Sequence, residues 1–245
     1  MKILVLGHSD SDGSRLANPR DGFPSLLQRM LAERGIQADA VHRYLYPGPT
    51  AAAFVAKQLE REHPDVVVLA TTTHSVVVEL VSNRVRERWG ERAGRWAERA
   101  ERAVARRADR LPPRATAVAT RLRRAGRRLV GTRPALTEQG LIQSYEDCMM
   151  ALAQAENVHT IIGGGIGYIG EIQRLNPGID ARQAKLQAKF RAAAEAHHFD
   201  WLSHEAVLGG PGTKDKYYQP DGIHTDERSH RLFAEALLPL VLARA

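Results

Sequence analysis

The chain of 245 residues has a single cysteine, Cys148, so it can form no disulfide within itself. The neighbours Met149, Met150 and Leu152 put that cysteine on an apolar helix face, where a thiol acts as a small hydrophobe. Long hydrophobic runs are also missing: nothing approaches the roughly 20 apolar residues needed to span a bilayer. Residues 1–7 (MKILVLG) have neither the extended apolar core nor the small-residue cleavage site of a secretory signal, and they read as a first β-strand. These absences suit a reducing compartment, and a cytoplasmic location is expected. With 43% hydrophobic and 26% charged residues the chain can bury one sizeable core, which predicts one α/β domain over 1–245.

Lysine is absent from residues 84–133, yet that segment holds 17 arginines against 5 acidic residues. The formal net charge of +7 therefore belongs to one insert, and the rest of the chain is net acidic. The basic average is no argument for nucleic-acid binding by the domain as a whole, and no nucleic-acid partner is expected.

What is present alternates. Short apolar or β-branched runs at 2–6, 38–42, 66–71, 158–162 and 199–203 are separated by helical patterns at 23–34, 50–62, 137–156, 182–196 and 226–243. That order predicts a three-layer α/β/α sandwich around a parallel five-stranded sheet. In such sheets the loops after the strand C-terminal ends collect ligands. Ser9, Gly48, His74 and the stretch from Gly163 to Gly167 follow the first four strands in turn, so they converge on one edge.

An insert at 78–133 interrupts the rhythm. Apolar positions recur with helical spacing from Val78 through Val81, Val85, Trp89, Trp96, Ala100 and Ala103 to Leu111, predicting one long helix that Pro112 and Pro113 end. A second helix carries Val118, Leu122, Ala125 and Leu129 on one face and closes near Gly131. The expectation is an Arg-rich helical hairpin serving as a cap. Its arginines leave open a solvated face, a surface for an anionic ligand or membrane, or a homodimer contact.

The stretch ILVLGHSDSDG (3–13) resembles the first block of the SGNH, or GDSL-type, hydrolases, in which a strand runs into Gly-Asp-Ser-Leu. Here the block reads Gly7-His8-Ser9-Asp10. The following DGFPSLLQRMLAERG (21–35) is similar to that family's first helix, and YPGPTAAAFVAKQLEREHPDVVVL (46–69) to its second block, with the glycine at Gly48. DGIHTDERSHRLFAEALLPLV (221–241) is similar to the last block, Asp-x-x-His before a terminal helix, and is the most specific match. The resemblance spans the chain except about 78–135. It implies a flavodoxin-like fold, a serine esterase acting on small-molecule, lipid or glycan esters, and no metal or organic cofactor.

Chemistry gives those residues their roles. A serine hydroxyl is a weak nucleophile, so it needs an imidazole to take its proton and a carboxylate to fix that imidazole's tautomer. Ser9 with His224 and Asp221 supplies the set, and Gly222 permits a tight turn between the last two. Ser11 and Ser14 are weaker candidates, farther from the strand end. Attack on a carbonyl also needs donors for the oxyanion. The resemblance assigns these to the backbone N–H groups of Ser9 and Gly48 and to a side chain in the third block. The family's asparagine is missing from ATTTHSV (70–76), and the resemblance leaves its place to His74, to Thr73 with a one-residue slip, or to neither.

Three competing motifs carry less weight. Gly165-Ile166-Gly167-Tyr168-Ile169-Gly170 fits a dinucleotide fingerprint but lacks the later acidic residue, and reads better as a loop near the site. Asp10-Ser11-Asp12-Gly13 has the D-x-D form of a Mg²⁺ phosphatase loop, but its first aspartate stands too far beyond the strand. His197, His198 and His204 lack metal-ligand spacing and flank strand five. The sequence thus points to ester hydrolysis through an acyl-enzyme. Acyl transfer on the same scaffold and a catalytically weak binding protein are the alternatives.

Overall fold

A computed structural model of the chain describes residues 1–108, 125, 127–210 and 213–243. The chain divides into two compact units, Met1–Thr73 with Glu138–Ala245, and His74–Thr137.

In the first unit β1 (Lys2–Gly7), β2 (Asp39–Tyr44), β3 (Val66–Ala70), β4 (His159–Gly164) and β5 (Asp200–Ser203) form a parallel sheet in the order β2-β1-β3-β4-β5. This is the predicted sheet. Strands β1 and β3 are covered on both faces, which is why Ile3–Leu6 and Val66–Leu69 are unbroken apolar runs. The edge strand β2 instead mixes Asp39, His42 and Arg43 with apolar residues.

Five helices cover the sheet: α1 (Phe23–Ala32), α2 (Ala51–Glu62), α3 (Glu138–Ala153), α4 (Ile179–Ala196) and α5 (Glu227–Leu242). Phe23 and Leu27 of α1 and Phe233, Leu237 and Val241 of α5 form one core with Ile3, Val5, Val66, Val68 and Ile161. Strand alternation turns Leu4, Leu6, Val67, Leu69 and Ile162 to the opposite face. The buried stripes of α3 (Leu141, Tyr145, Met149) and α4 (Leu186, Phe190) complete that layer, with Tyr145 and Phe190 in edge contact at 4.8 Å. Cys148 is buried in α3, and burial pushes its thiol up to about 12, consistent with the inert role expected of it. No described helix is long and apolar enough to cross a membrane.

The second unit departs from the expectation. The predicted single helix is broken at Gly90, whose φ of 82° and ψ of 176° are not helical, so Val81–Ala108 is two stretches joined by a kink. Glu101 accepts from the Val81 and Ser82 N–H groups at 3.0 and 3.3 Å, and Arg86 reaches Glu98 at 3.3 Å, so the second stretch runs back along the first. A Cβ on Gly94 would stand 2.6 Å from Arg86 Cβ, which is why a glycine sits at this crossing. Trp89 and Trp96, expected on the packed face, are 60% and 74% exposed, and Leu129 is 86% exposed. The inner positions belong to Ser82, Gly94 and Ala97. Pro112, Pro113, Val118 and Leu122 lie outside the described residues. Gly131 closes a helical turn as expected, with φ of 81° and its N–H donating to Arg127 O at 2.9 Å.

Buried histidines make the first unit acid-sensitive. His204 is 6% exposed, stacks on Phe233 at 4.2 Å and meets Ser229 Oγ at 2.9 Å; burial pushes it down to about 4. His42 is likewise pushed down by burial to about 4. In the unfolded chain a histidine binds its proton near about 6.5. Below that pH the unfolded state takes up protons that the folded state refuses until about 4, so stability must fall across this window and be unaffected above it. Thermal unfolding followed from neutral pH to about 4 is expected to show a falling Tm, and His204→Phe a shallower fall. Parallel curves for the two proteins would count against this account.

Candidate active site

The strand order reverses between β1 and β3, and the loops leaving their C-terminal ends form the crevice where such sheets place ligands. Gly7 ends β1. A Cβ there would lie 2.2 Å from Ser11 Oγ, so the chain can turn sharply only because this residue is glycine. The turn closes with Ser11 N–H donating to His8 O at 2.9 Å, and it brings Ser9 to the sheet edge.

Ser9 Oγ lies 2.9 Å from His224 Nε2, and His224 Nδ1 lies 2.6 Å from Asp221 Oδ2. The other carboxylate oxygen of Asp221 accepts from the Ile223 and His224 N–H groups, both at 2.9 Å, so Asp221 grips the turn that carries the imidazole. Burial works against the Asp221 charge, but the hydrogen bonds from His224 and Ile223 outweigh it and bring the carboxyl below its usual range. Gly222 has φ of 68°, and a Cβ on it would come within 2.5 Å of Ile169 O. The loop is anchored onward by Asp226, which accepts from Ser229 N–H at 3.0 Å and caps α5.

Asp10, the last letter of the Gly7-His8-Ser9-Asp10 block and the first aspartate of the D-x-D motif, holds a position that neither motif predicts. It is 9% exposed, and its Oδ1 accepts from both the backbone N–H and the hydroxyl of Thr225, each at 2.8 Å. Since Ser9 precedes Asp10 and His224 precedes Thr225, this clamp registers the two loops against each other. Burial keeps neighbouring His8 below its usual value despite the attraction of Asp10, so a neutral imidazole stands beside the pair.

The three serines of the first loop separate clearly. Ser11 is buried, donates to His8 O at 2.6 Å and meets His42 Nε2 at 2.8 Å, so its proton is directed away from His224. Ser14 is exposed and meets Tyr44 Oη at 3.1 Å. Asp12, the second aspartate of the D-x-D motif, accepts from Ser14 N–H and Tyr44 Oη at 2.8 and 2.5 Å. Among the described residues no His, Cys, Asp or Glu group is arranged to hold a metal ion. The Gly165–Ile169 loop supports the Asp221 turn: Ile169 N–H donates to Gly222 O at 3.0 Å, and Tyr218 Oη donates to Gly167 O. His197 and His198 lie in the turn before β5, and His204 follows it, as expected.

The expected oxyanion donors occupy different settings. Gly48 N–H is not open: it donates to Ser144 Oγ at 2.8 Å, and that hydroxyl returns to Gly48 O at 3.2 Å. Thr73 is buried with its side chain hydrogen-bonded to Tyr168. Thr72 N–H donates to Tyr145 Oη at 2.9 Å. His74 opens the short helix His74–Val77 of the second unit. Of the anticipated backbone donors, the Ser9 N–H alone meets no acceptor among the described residues. Ser144, Tyr145 and Tyr168 carried no local signal of a role here, because each acts across a long sequence separation.

No family model and no curated protein matches the chain. Solved structures do. A lipase/acylhydrolase from Enterococcus faecalis superposes with a TM-score of 0.63 and 16% identity, covering 100% of this chain and 97% of that one. A carbohydrate acetylesterase family member from Sinorhizobium meliloti gives 0.57 and 14%, over 100% and 99% of the two chains. A GDSL-like lipase from Bacteroides thetaiotaomicron gives 0.55 and 11%, over 100% and 89%. With its sheet order, its strand-end loops and these neighbours, the chain has the fold of the SGNH hydrolases, the GDSL-type lipases and esterases.

Proposed function

We propose that the protein is a serine esterase that cleaves carboxylic esters through an acyl-enzyme. The observation that carries this is the unbroken series of hydrogen bonds from Ser9 Oγ through His224 to Asp221, at 2.9 and 2.6 Å. Ser9 Oγ attacks the ester carbonyl while His224 Nε2 takes its proton, and Asp221 stabilises the imidazolium that forms. Collapse of the tetrahedral intermediate breaks the acyl–oxygen bond, and His224 returns the proton to the departing alcohol. Water then adds to the acyl-serine by the same route and regenerates Ser9. The neighbours described as lipase, acylhydrolase and acetylesterase support the ester bond as the target. An alcohol acceptor in place of water would give acyl transfer with the same residues.

A fluorophosphonate is expected to label Ser9, and Ser9→Ala to lower kcat/KM for a p-nitrophenyl ester by about a thousandfold or more while Tm stays unchanged. Full activity in that variant would remove Ser9 from the mechanism, and absence of turnover in the wild-type protein would favour a binding role.

Asp10 is a positioning residue in this scheme, since it acts on the loop of His224 through Thr225. Asp10→Ala should lower kcat by roughly ten- to a hundredfold with little change in KM, because misplacing a base by a fraction of an ångström affects the transition state more than binding. Asp10→Asn, which keeps an oxygen able to accept from Thr225, should restore much of that loss. Equal kcat in the two variants would show that the clamp does not set the rate.

Turnover is also expected to survive EDTA unchanged. A strict Mg²⁺ requirement with phosphate esters would overturn the scheme in favour of the Asp10–Asp12 motif.

A further inference from the structure

The hairpin Val81–Ala108 sorts its side chains by charge. Glu87 pairs with Arg84 and Arg133 at 2.6 and 2.9 Å, Glu91 with Arg86 at 3.1 Å, and Glu98 with Arg86 at 3.3 Å, while Glu101 caps the first stretch through the Val81 N–H. Every one of these carboxylates is engaged within the hairpin. Arg88, Arg92 and Arg99 are exposed and make no ion pair with any described residue. On the second stretch Arg92, Trp96 and Arg99 recur at i, i+4 and i+7, which puts them on one face, away from the inner Gly94 and Ala97. Trp89 lies at the kink with the Arg88 guanidinium 5.8 Å from its ring. Trp89 and Trp96, two of the three tryptophans of the chain, are 60% and 74% exposed beside arginines that have no ion-pair partner among the described residues.

We propose that the exposed Trp89 and Trp96, with the arginines beside them, form a docking surface for an anionic phospholipid bilayer. Indole rings settle at the headgroup level of a membrane, where an apolar body meets lipid and the N–H stays wet, and exposed arginines add attraction to an anionic leaflet. Arg88 lies against Trp89, and Arg92 and Arg99 flank Trp96 along its stretch, so the positive charge that an anionic leaflet complements stands beside the indoles. A second copy of the same face would bring like charges together. The proposal goes beyond ester hydrolysis and does not depend on Ser9.

The test is cosedimentation of the full chain with vesicles of phosphatidylcholine alone or mixed equally with phosphatidylglycerol. Binding to the mixed vesicles, with a blue shift of indole emission, is the expected result, and added salt should weaken it. Trp89→Ala with Trp96→Ala should lower partitioning about tenfold or more, and Arg88→Glu, Arg92→Glu and Arg99→Glu together should abolish it. Since all five side chains are exposed, circular dichroism should be unchanged in both variants. Loss of vesicle binding in a Ser9→Ala protein is not expected, which keeps this outcome separate from that of the esterase assay. The proposal falls if the wild-type chain ignores the mixed vesicles, or if it binds both vesicle types equally. It falls also if the tryptophan variant binds undiminished, if the face instead doubles the mass in light scattering, or if it retains a single-stranded oligonucleotide but no vesicle.

Discussion

The grip of Asp10 on Thr225 joins parts of the chain 215 residues apart, and the geometry of the site depends on it. One carboxylate oxygen accepts a backbone N–H and a hydroxyl of the same residue, which fixes Thr225 in both position and rotation. Ser9 and His224 are each one peptide away from the clamp, so their own hydrogen bond needs little further ordering. The arrangement is sensitive because a buried carboxylate is costly unless it is fully hydrogen-bonded. It is surrounded by His8, His204 and His230, all pushed down by burial and therefore neutral, so no buried cation competes with Thr225 for Asp10.

Why the clamp falls at this place follows from the sheet. Parallel strands deliver their C-terminal ends to one edge, and the reversal of order between β1 and β3 parts the adjoining loops. Gly7 lets the first loop turn without colliding with Ser11, and Gly222 lets the last loop pass against the carbonyl of Ile169. The last loop is also the entry to α5, whose Phe233, Leu237 and Val241 are sunk in the core. Packing of that helix thus holds the imidazole at a fixed height over the sheet.

Much of this was legible in the sequence, for identifiable reasons. Strands β1 and β3 are covered on both faces, so burial demanded apolar residues at every position and left runs that alternation could not obscure. Asp221 and His224 were legible because their bond is local, three residues apart at the entry to a helix. Gly90 was not. Helical spacing of Val85, Trp89 and Trp96 continues across it, and a glycine in a helix costs only about 1 kcal/mol, so periodicity could not reveal the break. The true inner face is set by Arg86 with Glu98 and by the close approach at Gly94, which are contacts between stretches and not properties of either one. The same holds for Asp10 with Thr225 and for Gly48 with Ser144, 96 residues away.

The engaged Gly48 N–H bears on how an oxyanion could be stabilised. Its partner is a hydroxyl that both accepts from Gly48 N–H and donates to Gly48 O, so rotation or a small displacement of Ser144 would release the N–H while the second bond survives. A hydrogen bond of that neutral kind contributes about 0.5–1.5 kcal/mol net, whereas one preorganised donor to an oxyanion is worth about 2.7–4 kcal/mol. For an oxyanion formed within reach of Gly48, that exchange would favour the transition state over the resting site by about one to a few kcal/mol. With the Ser9 N–H, which meets no acceptor among the described residues, a released Gly48 N–H would offer a second backbone donor that needs no asparagine side chain in the third block.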